Sequence, residues 1–139
     1  MSGRIINLFL KEKNPTRMIH VDVATADSGK GLVGDASYGQ RKRQVLFIEK
    51  ETLDEFELVP GQVKENVTVS GITLAGLPAG TRLQAGGVLF EVTGDCAPCQ
   101  QIEDIRPGLR AEMEGRRGTL FRVVQGGEIR AEDKVLVVS

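Results

Sequence analysis

The chain has 139 residues, two cysteines, one histidine and a formal net charge of −1 from 18 basic and 19 acidic side chains. That length suits one domain over 1–139 with a core that needs no disulfide or metal staple, and two cysteines are too few for a secreted disulfide scaffold. Interspersed charges of both signs give no global electrostatic case for nucleic acid or an anionic membrane as partner. No apolar run reaches membrane-spanning length, and the opening Met1-Ser2-Gly3-Arg4 followed by 5–10 lacks the length and cleavage site of a signal peptide, so a reducing cytoplasm is the expected setting.

In chain order, short runs rich in Val, Ile and Leu predict strands at 5–10, 18–23, 44–48, 66–69, 81–83, 88–92, 120–124 and 134–138. Glycine-bearing turns separate them at Gly29-Lys30-Gly31, Gly71, Gly86-Gly87 and Gly126-Gly127, and Thr93-Gly94-Asp95 reads as a turn after the sixth run. Gly86-Gly87 is a good hairpin signal because paired glycines accept the backbone angles of tight primed turns. Two segments break the pattern. Residues 49–56 place Leu53 and Phe56 at helical spacing, and 107–114 place Pro107 near a helix start, with Leu109 and Met113 four apart and Gly115 at a C-cap. The whole predicts a mainly β barrel or sandwich with short helices packed on it.

Both cysteines fall in one loop, Cys96-Ala97-Pro98-Cys99. Four readings are open for them. As buried thiols they are small hydrophobes. As zinc ligands they lack two partners, since the single His20 is distant in sequence and sits in an alternating, strand-like run. As a dithiol oxidoreductase they resemble a thioredoxin-type Cys-x-Pro-Cys, but a thioredoxin fold alternates strands with full-length helices, and here the pair follows a series of short strands. As a thiolate that ligates a transition-metal cofactor or carries persulfide sulfur, they need supporting residues elsewhere.

Such residues recur in order along the chain. Gly31-Leu32-Val33-Gly34-Asp35, Arg43-Gln44-Val45, Glu65-Asn66-Val67-Thr68-Val69-Ser70-Gly71, Pro98-Cys99, Arg117-Gly118 and Gly126-Gly127-Glu128-Ile129 together resemble the MOSC domain family, named for the C-terminal domain of molybdenum cofactor sulfurases. The resemblance is strongest over 17–138. It implies a stand-alone domain of the small bacterial kind, built as a closed or partly closed β-barrel with two or three short peripheral helices. It also implies that the cysteine after proline, Cys99, ligates the molybdenum of a pterin cofactor or carries sulfur as a persulfide, with Cys96 as an accessory or resolving thiol. The expected partners are the molybdenum cofactor or a sulfur donor such as a cysteine desulfurase, and a redox partner if the protein reduces N-hydroxylated compounds as some relatives do. Pyridoxal phosphate binding is implied only at the level of the family.

The remaining motif residues have physical tasks to fill. Arg43 and Arg117 suit an anionic group, because guanidinium matches phosphate oxygens and stays charged; either also supplies the positive charge a thiolate needs. Both also read as solvated surface arginines, and Arg41-Lys42 beside Arg43 as a solvated turn. Gln44, Glu65, Asn66 and Gly118 complete the expected cofactor site, with Asn66 able to donate to and accept from a heterocycle or to cap a turn. Asp35 positions an arginine or braces its loop. Many relatives carry a His two residues after this aspartate; here the position is Ser37, which removes the side chain that titrates near neutral pH. Tyr38 beside it is a poor base because its ordinary pKa is high.

Overall fold

The computed structural model describes residues 2–13 and 17–138. Its elements are β1 (Ser2–Lys11), β2 (Met18–Val21), β3 (Val23–Asp27), β4 (Gly31–Leu32), β5 (Val45–Glu49), α1 (Lys50–Glu55), β6 (Val67–Ser70), β7 (Arg82–Ala85), β8 (Val88–Asp95), α2 (Gln100–Ile105), α3 (Leu109–Glu112), β9 (Thr119–Gln125), β10 (Gly127–Arg130) and β11 (Lys134–Val137). Seven strands close into a barrel in the order β1, β6, β5, β9, β8, β7, β11 and back to β1. β1 is long enough to serve three neighbours. Its start pairs with β11, its middle with β6 across a bulge between Ile5 and Asn7, and its end with β2.

Every barrel pairing is antiparallel except β5 with β6, which is parallel. Parallel neighbours cannot be joined by a tight turn, so the chain must cross back along the barrel. That crossover holds α1 and a loop, and it returns Lys64-Glu65-Asn66 to the end at which β5 begins.

Strand alternation divides the wall into two faces. Val45, Phe47, Val67, Val69, Phe121 and Val123 point into the main core, whereas Leu46, Leu120 and Cys96 form a separate cluster outside it. Phe47, Phe90 and Phe121 fill the lumen with ring centroids 4.5–6.1 Å apart, in tilted and edge-to-face arrangements. Each such buried ring contributes about 1.5–3 kcal/mol of transfer free energy. The helices pack on the outer wall through a second cluster of Ile48, Leu53, Leu58, Val63, Ile102, Leu109 and Met113.

The predicted mainly β barrel with peripheral helices is the observed fold, but several boundaries differ. The run 18–23 is two strands, because the chain leaves β1 at Asp22 and crosses to a separate three-stranded sheet of β10, β3 and β4. Ala24, Ala26, Leu32 and Ile129 of that sheet join the main core, so it packs on the barrel. Gly126-Gly127 is not simply a turn: Gly127 opens β10, and a Cβ there would meet the Gly87 carbonyl oxygen at 2.4 Å. Glycine here allows backbone to lie on backbone. Thr93-Gly94-Asp95 is not a turn either. β8 continues through it with a register shift between Val92 and Gly94, pairing Asp95 with Thr119. The helix expected over 107–114 is only Leu109–Glu112, and α2, which precedes it, is not among the predicted elements.

Candidate functional site

The strand that runs on to Asp95 delivers Cys96 against the outer wall, where it is 6% exposed beside Leu46 and Leu120. Its backbone N–H donates to the Gly118 carbonyl at 2.9 Å. Gly118 has φ +134°, and a Cβ on it would lie 2.8 Å from Leu46 Cδ1 and 3.0 Å from the Phe47 carbonyl oxygen, so only glycine lets this segment approach β5. Three residues on from Cys96, Cys99 is an exposed free thiol at the N-cap of α2. The two cysteines therefore differ in environment: one belongs to the wall and the other to the rim.

Between them lies a cleft of about 210 Å³ on the outside of the barrel. Cys96, Leu46 and Leu120 line its apolar side, and Lys11, Arg43, Lys64 and Arg117 bring four cations to it from four separate stretches of chain. Among the described residues no carboxylate lines it. In a protein of net charge −1, this is local segregation of positive charge, which favours an anionic ligand. Arg43 extends over the buried thiol, with Nη2 3.7 Å from Cys96 Sγ. The cation–thiol contact thus falls on Cys96 rather than Cys99.

Arg117 is 5% exposed, and its Nε and Nη1 have no hydrogen-bond partner. A buried guanidinium in that state retains unspent donor capacity. Gln101, in the first turn of α2, donates from Nε2 to the Gln62 carbonyl at 3.2 Å, leaving a buried Oε1 without a partner. Among the described residues no group of three or more His, Cys, Asp or Glu side chains is arranged to hold a metal ion.

Other motif residues build the site rather than open onto it. Asn66 spends its whole amide on the chain: Oδ1 accepts from the Leu46 N–H at 3.0 Å, and Nδ2 donates to the Phe9 carbonyl at 3.2 Å and to Asp35 Oδ1 at 2.9 Å. Asp35, 4% exposed, also accepts from the backbone N–H groups of Lys11 and Ser37, so it braces its loop and orients Asn66. Gln44 donates to the carbonyls of Gly29 and Gln40 and accepts from the Val123 N–H, pinning two loops to β9. Glu65 is fully buried behind the cleft; its Oε2 accepts from the Gly61 N–H at 2.8 Å and from Thr68 Oγ1 at 2.7 Å. Burial pushes its carboxyl above the ordinary range, against the opposing pull of those two hydrogen bonds and of Arg117.

The structure thus gathers Cys96, Cys99, Arg43, Gln44, Asn66 and Arg117 around one cleft, with Asp35, Glu65 and Gly118 supporting it. Sequence reasoning missed Lys11, Lys64 and Gln101. Lys64 and Gln101 each lie within two residues of a motif position, whereas Lys11 carries no local signal. Ser37 lines the cleft, and Tyr38 is turned away, its hydroxyl bonded to Asp27, which pushes its pKa up. His20 stays on β2, with its ring 5.4 Å from that of Phe9.

The sequence matches the family model described as MOSC domain over residues 35–136. A search of curated proteins finds no match. Among solved structures the fold is similar to the YuaD protein from Bacillus subtilis, with TM-score 0.85 and 21% identity, covering 97% of this chain and 94% of that one. It is also similar to YiiM from Escherichia coli, with TM-score 0.77 and 21% identity over 100% of this chain and 70% of that one. YiiM from Geobacillus stearothermophilus gives TM-score 0.79 and 18% identity, covering 99% and 75%. At these identities the structural likeness speaks for the fold.

Proposed function

Because the chain belongs to the MOSC domain family, which is associated with molybdenum cofactor binding, we propose that the cleft is a binding or sulfur-carrier site in which Cys99 is the working thiol. The observation that carries this reading is the exposed Cys99 thiol sharing a cleft lined by four cationic side chains with a buried Arg117 that has unspent N–H donors. These residues fit the family's cofactor. Cys99 is an exposed soft ligand, and Arg117 with Arg43 would hold the anionic part. Among the described residues no side-chain cluster would hold a metal by itself, so Cys99 would be the chain's ligand to the cofactor's metal. When bound, molybdenum supplies two-electron redox chemistry; the chain supplies the thiolate, the cations and the apolar wall.

The carrier form of the same reading needs only the thiol. The Cys99 thiolate attacks the outer sulfur of a donor persulfide, such as one held by a cysteine desulfurase. A new S–S bond forms at Cys99, the donor's S–S bond breaks, and the donor cysteine leaves as its thiolate. A stably bound metal cofactor, by contrast, is the precondition for reduction of N-hydroxylated compounds, with electrons from an external partner.

The test is purification from a molybdenum-replete host, with metal and pterin analysis and intact mass before and after incubation with a cysteine desulfurase and cysteine. Metal with pterin, or a gain of one sulfur, is expected in the wild type and in Cys96→Ser, and neither in Cys99→Ser. Absence of both from the wild type sinks the reading. A readily reversible Cys96–Cys99 disulfide, with insulin reductase activity lost in Cys96→Ser, would replace it with the dithiol one.

A further inference from the structure

All four buried side-chain polar atoms that lack a hydrogen-bond partner among the described residues belong to the cleft or the layer directly behind it: Glu65 Oε1, Gln101 Oε1, and Nε and Nη1 of Arg117. Unsatisfied buried charge is costly, and its concentration in one place marks a site whose energetics are completed by something else. We propose that Glu65 is a positioning residue, the buried counter-charge of Arg117, and that it takes up a proton when an oxyanion occupies the cleft. The proposal rests on the cleft being an anion site.

The geometry separates the two groups by role. Arg117 lines the cleft and Glu65 does not. The Glu65 carboxyl is locked, because Oε2 accepts from the Gly61 N–H on the crossover loop and from Thr68 Oγ1 on β6 while Oε1 is left over. Arg117, entering β9, is the charged group that acts on it; the Phe9 ring of β1 packs on Gly61, and Lys64 adjoins Glu65 in the chain and lines the cleft. No described ion pair at 4.0 Å or less joins Glu65 to Arg117, so the attraction is through space and leaves Nε and Nη1 of the arginine free for a ligand.

With the cleft empty, the charge of Arg117 favours the ionised form of Glu65 against the opposing effect of burial. An oxyanion beside Arg117 offsets the arginine's pull on Glu65 and sets a like charge near a poorly solvated carboxylate, which favours a proton taken from solvent onto Glu65. Anion binding therefore raises the affinity of Glu65 for its proton. Between the titration of the empty site and that of the occupied one, the anion binds more weakly as pH rises, by up to about tenfold per pH unit for a full proton. Below that window Glu65 is protonated in both states and above it ionised in both, and the dependence flattens. Burial already lifts the carboxyl above its ordinary range, which moves the window toward neutral pH.

The experiment is calorimetric titration of the intact protein with sulfate, whose charge is constant from about pH 5 to 7.5, in buffers of different ionisation heat. The wild type is expected to take up close to one proton per sulfate inside the window. Glu65→Gln should take up none, bind with pH-independent affinity, and bind more tightly than the wild type at neutral pH because a buried negative charge is gone. Thr68→Val keeps the charge but removes a donor to the ionised carboxyl, so it should shift the window upward; it carries the test if Glu65→Gln does not fold. Sulfate binding without proton uptake, or weaker binding by Glu65→Gln at neutral pH, overturns the coupling and leaves the anion cleft standing. Failure of the wild type to bind sulfate, when Arg117→Met does no worse, overturns the anion cleft and the coupling together.

Discussion

Along β5, Val45 and Phe47 face a lumen packed with aromatic rings, while Leu46 between them faces the cleft; along β6, Val67 and Val69 face inward. Asn66, which enters β6, and Thr68 on it instead bond to Asp35 and Glu65. One set of strands therefore carries two surfaces with opposite chemistry. The inner one is apolar and close-packed, so its atoms are satisfied by contact alone. The outer one gathers every unpartnered buried polar side-chain atom of the described residues. Stability is concentrated on one side of the wall and binding capacity on the other, separated by the thickness of a single sheet.

Substitutions on either side of the wall test that division. Phe47→Ala, in the lumen, should cost about 3–5 kcal/mol in denaturant unfolding, whereas Leu46→Ala on the cleft side should cost clearly less because solvent can enter the space it leaves. Equal losses would mean that the two faces share one core. Asn66→Ala should come next, at about 1–3 kcal/mol, since it removes the side-chain partner of the Leu46 N–H and of the Phe9 carbonyl and leaves Asp35 Oδ1 with the Lys11 N–H alone. Because that amide ties three stretches of chain together, it should also loosen the loop at 35–37, read as faster amide exchange at Ser37.

The smallest effect depends on pH. The folded-state pKa of Glu65 is raised by burial, so the folded chain holds this proton more firmly than the unfolded chain does, and stability attached to it declines as pH rises above the ordinary carboxylate range. Glu65→Gln removes that decline. Its unfolding free energy should exceed that of the wild type at neutral pH and converge with it in acid; a mutant less stable at neutral pH would mean that the ionised carboxylate supports the fold.

Much of this arrangement was legible in the sequence, for identifiable reasons. Short Val- and Ile-rich runs fixed most barrel strands because the inner face tolerates little else, and the motif order identified the Arg43, Asn66, Cys99 and Arg117 that meet at the cleft. What stayed hidden depends on long-range pairing. Nothing in 18–23 says that the chain changes sheets at Asp22, and nothing in Thr93-Gly94-Asp95 says that a bulge lets β8 run on. That extension decides the cysteine pair, because it seats Cys96 in the wall and leaves Cys99 on the rim. Asn66, expected to meet a heterocycle, has an amide already committed to bracing the site, a fact that only the neighbours Leu46, Phe9 and Asp35 could reveal.

The seam between β1 and β11 joins Ser2–Arg4 to Lys134–Leu136, the most distant segments of the described chain. A ring closed in this way cannot assemble progressively from one end. The β7–β8 hairpin is local and can form within microseconds, but the lumen stays open until both edge strands find each other, which places folding of such a topology on the scale of roughly milliseconds to seconds. Until that moment the lumen around Phe47, Phe90 and Phe121 lacks part of its wall, so the interval before closure is when the chain is most vulnerable to aggregation.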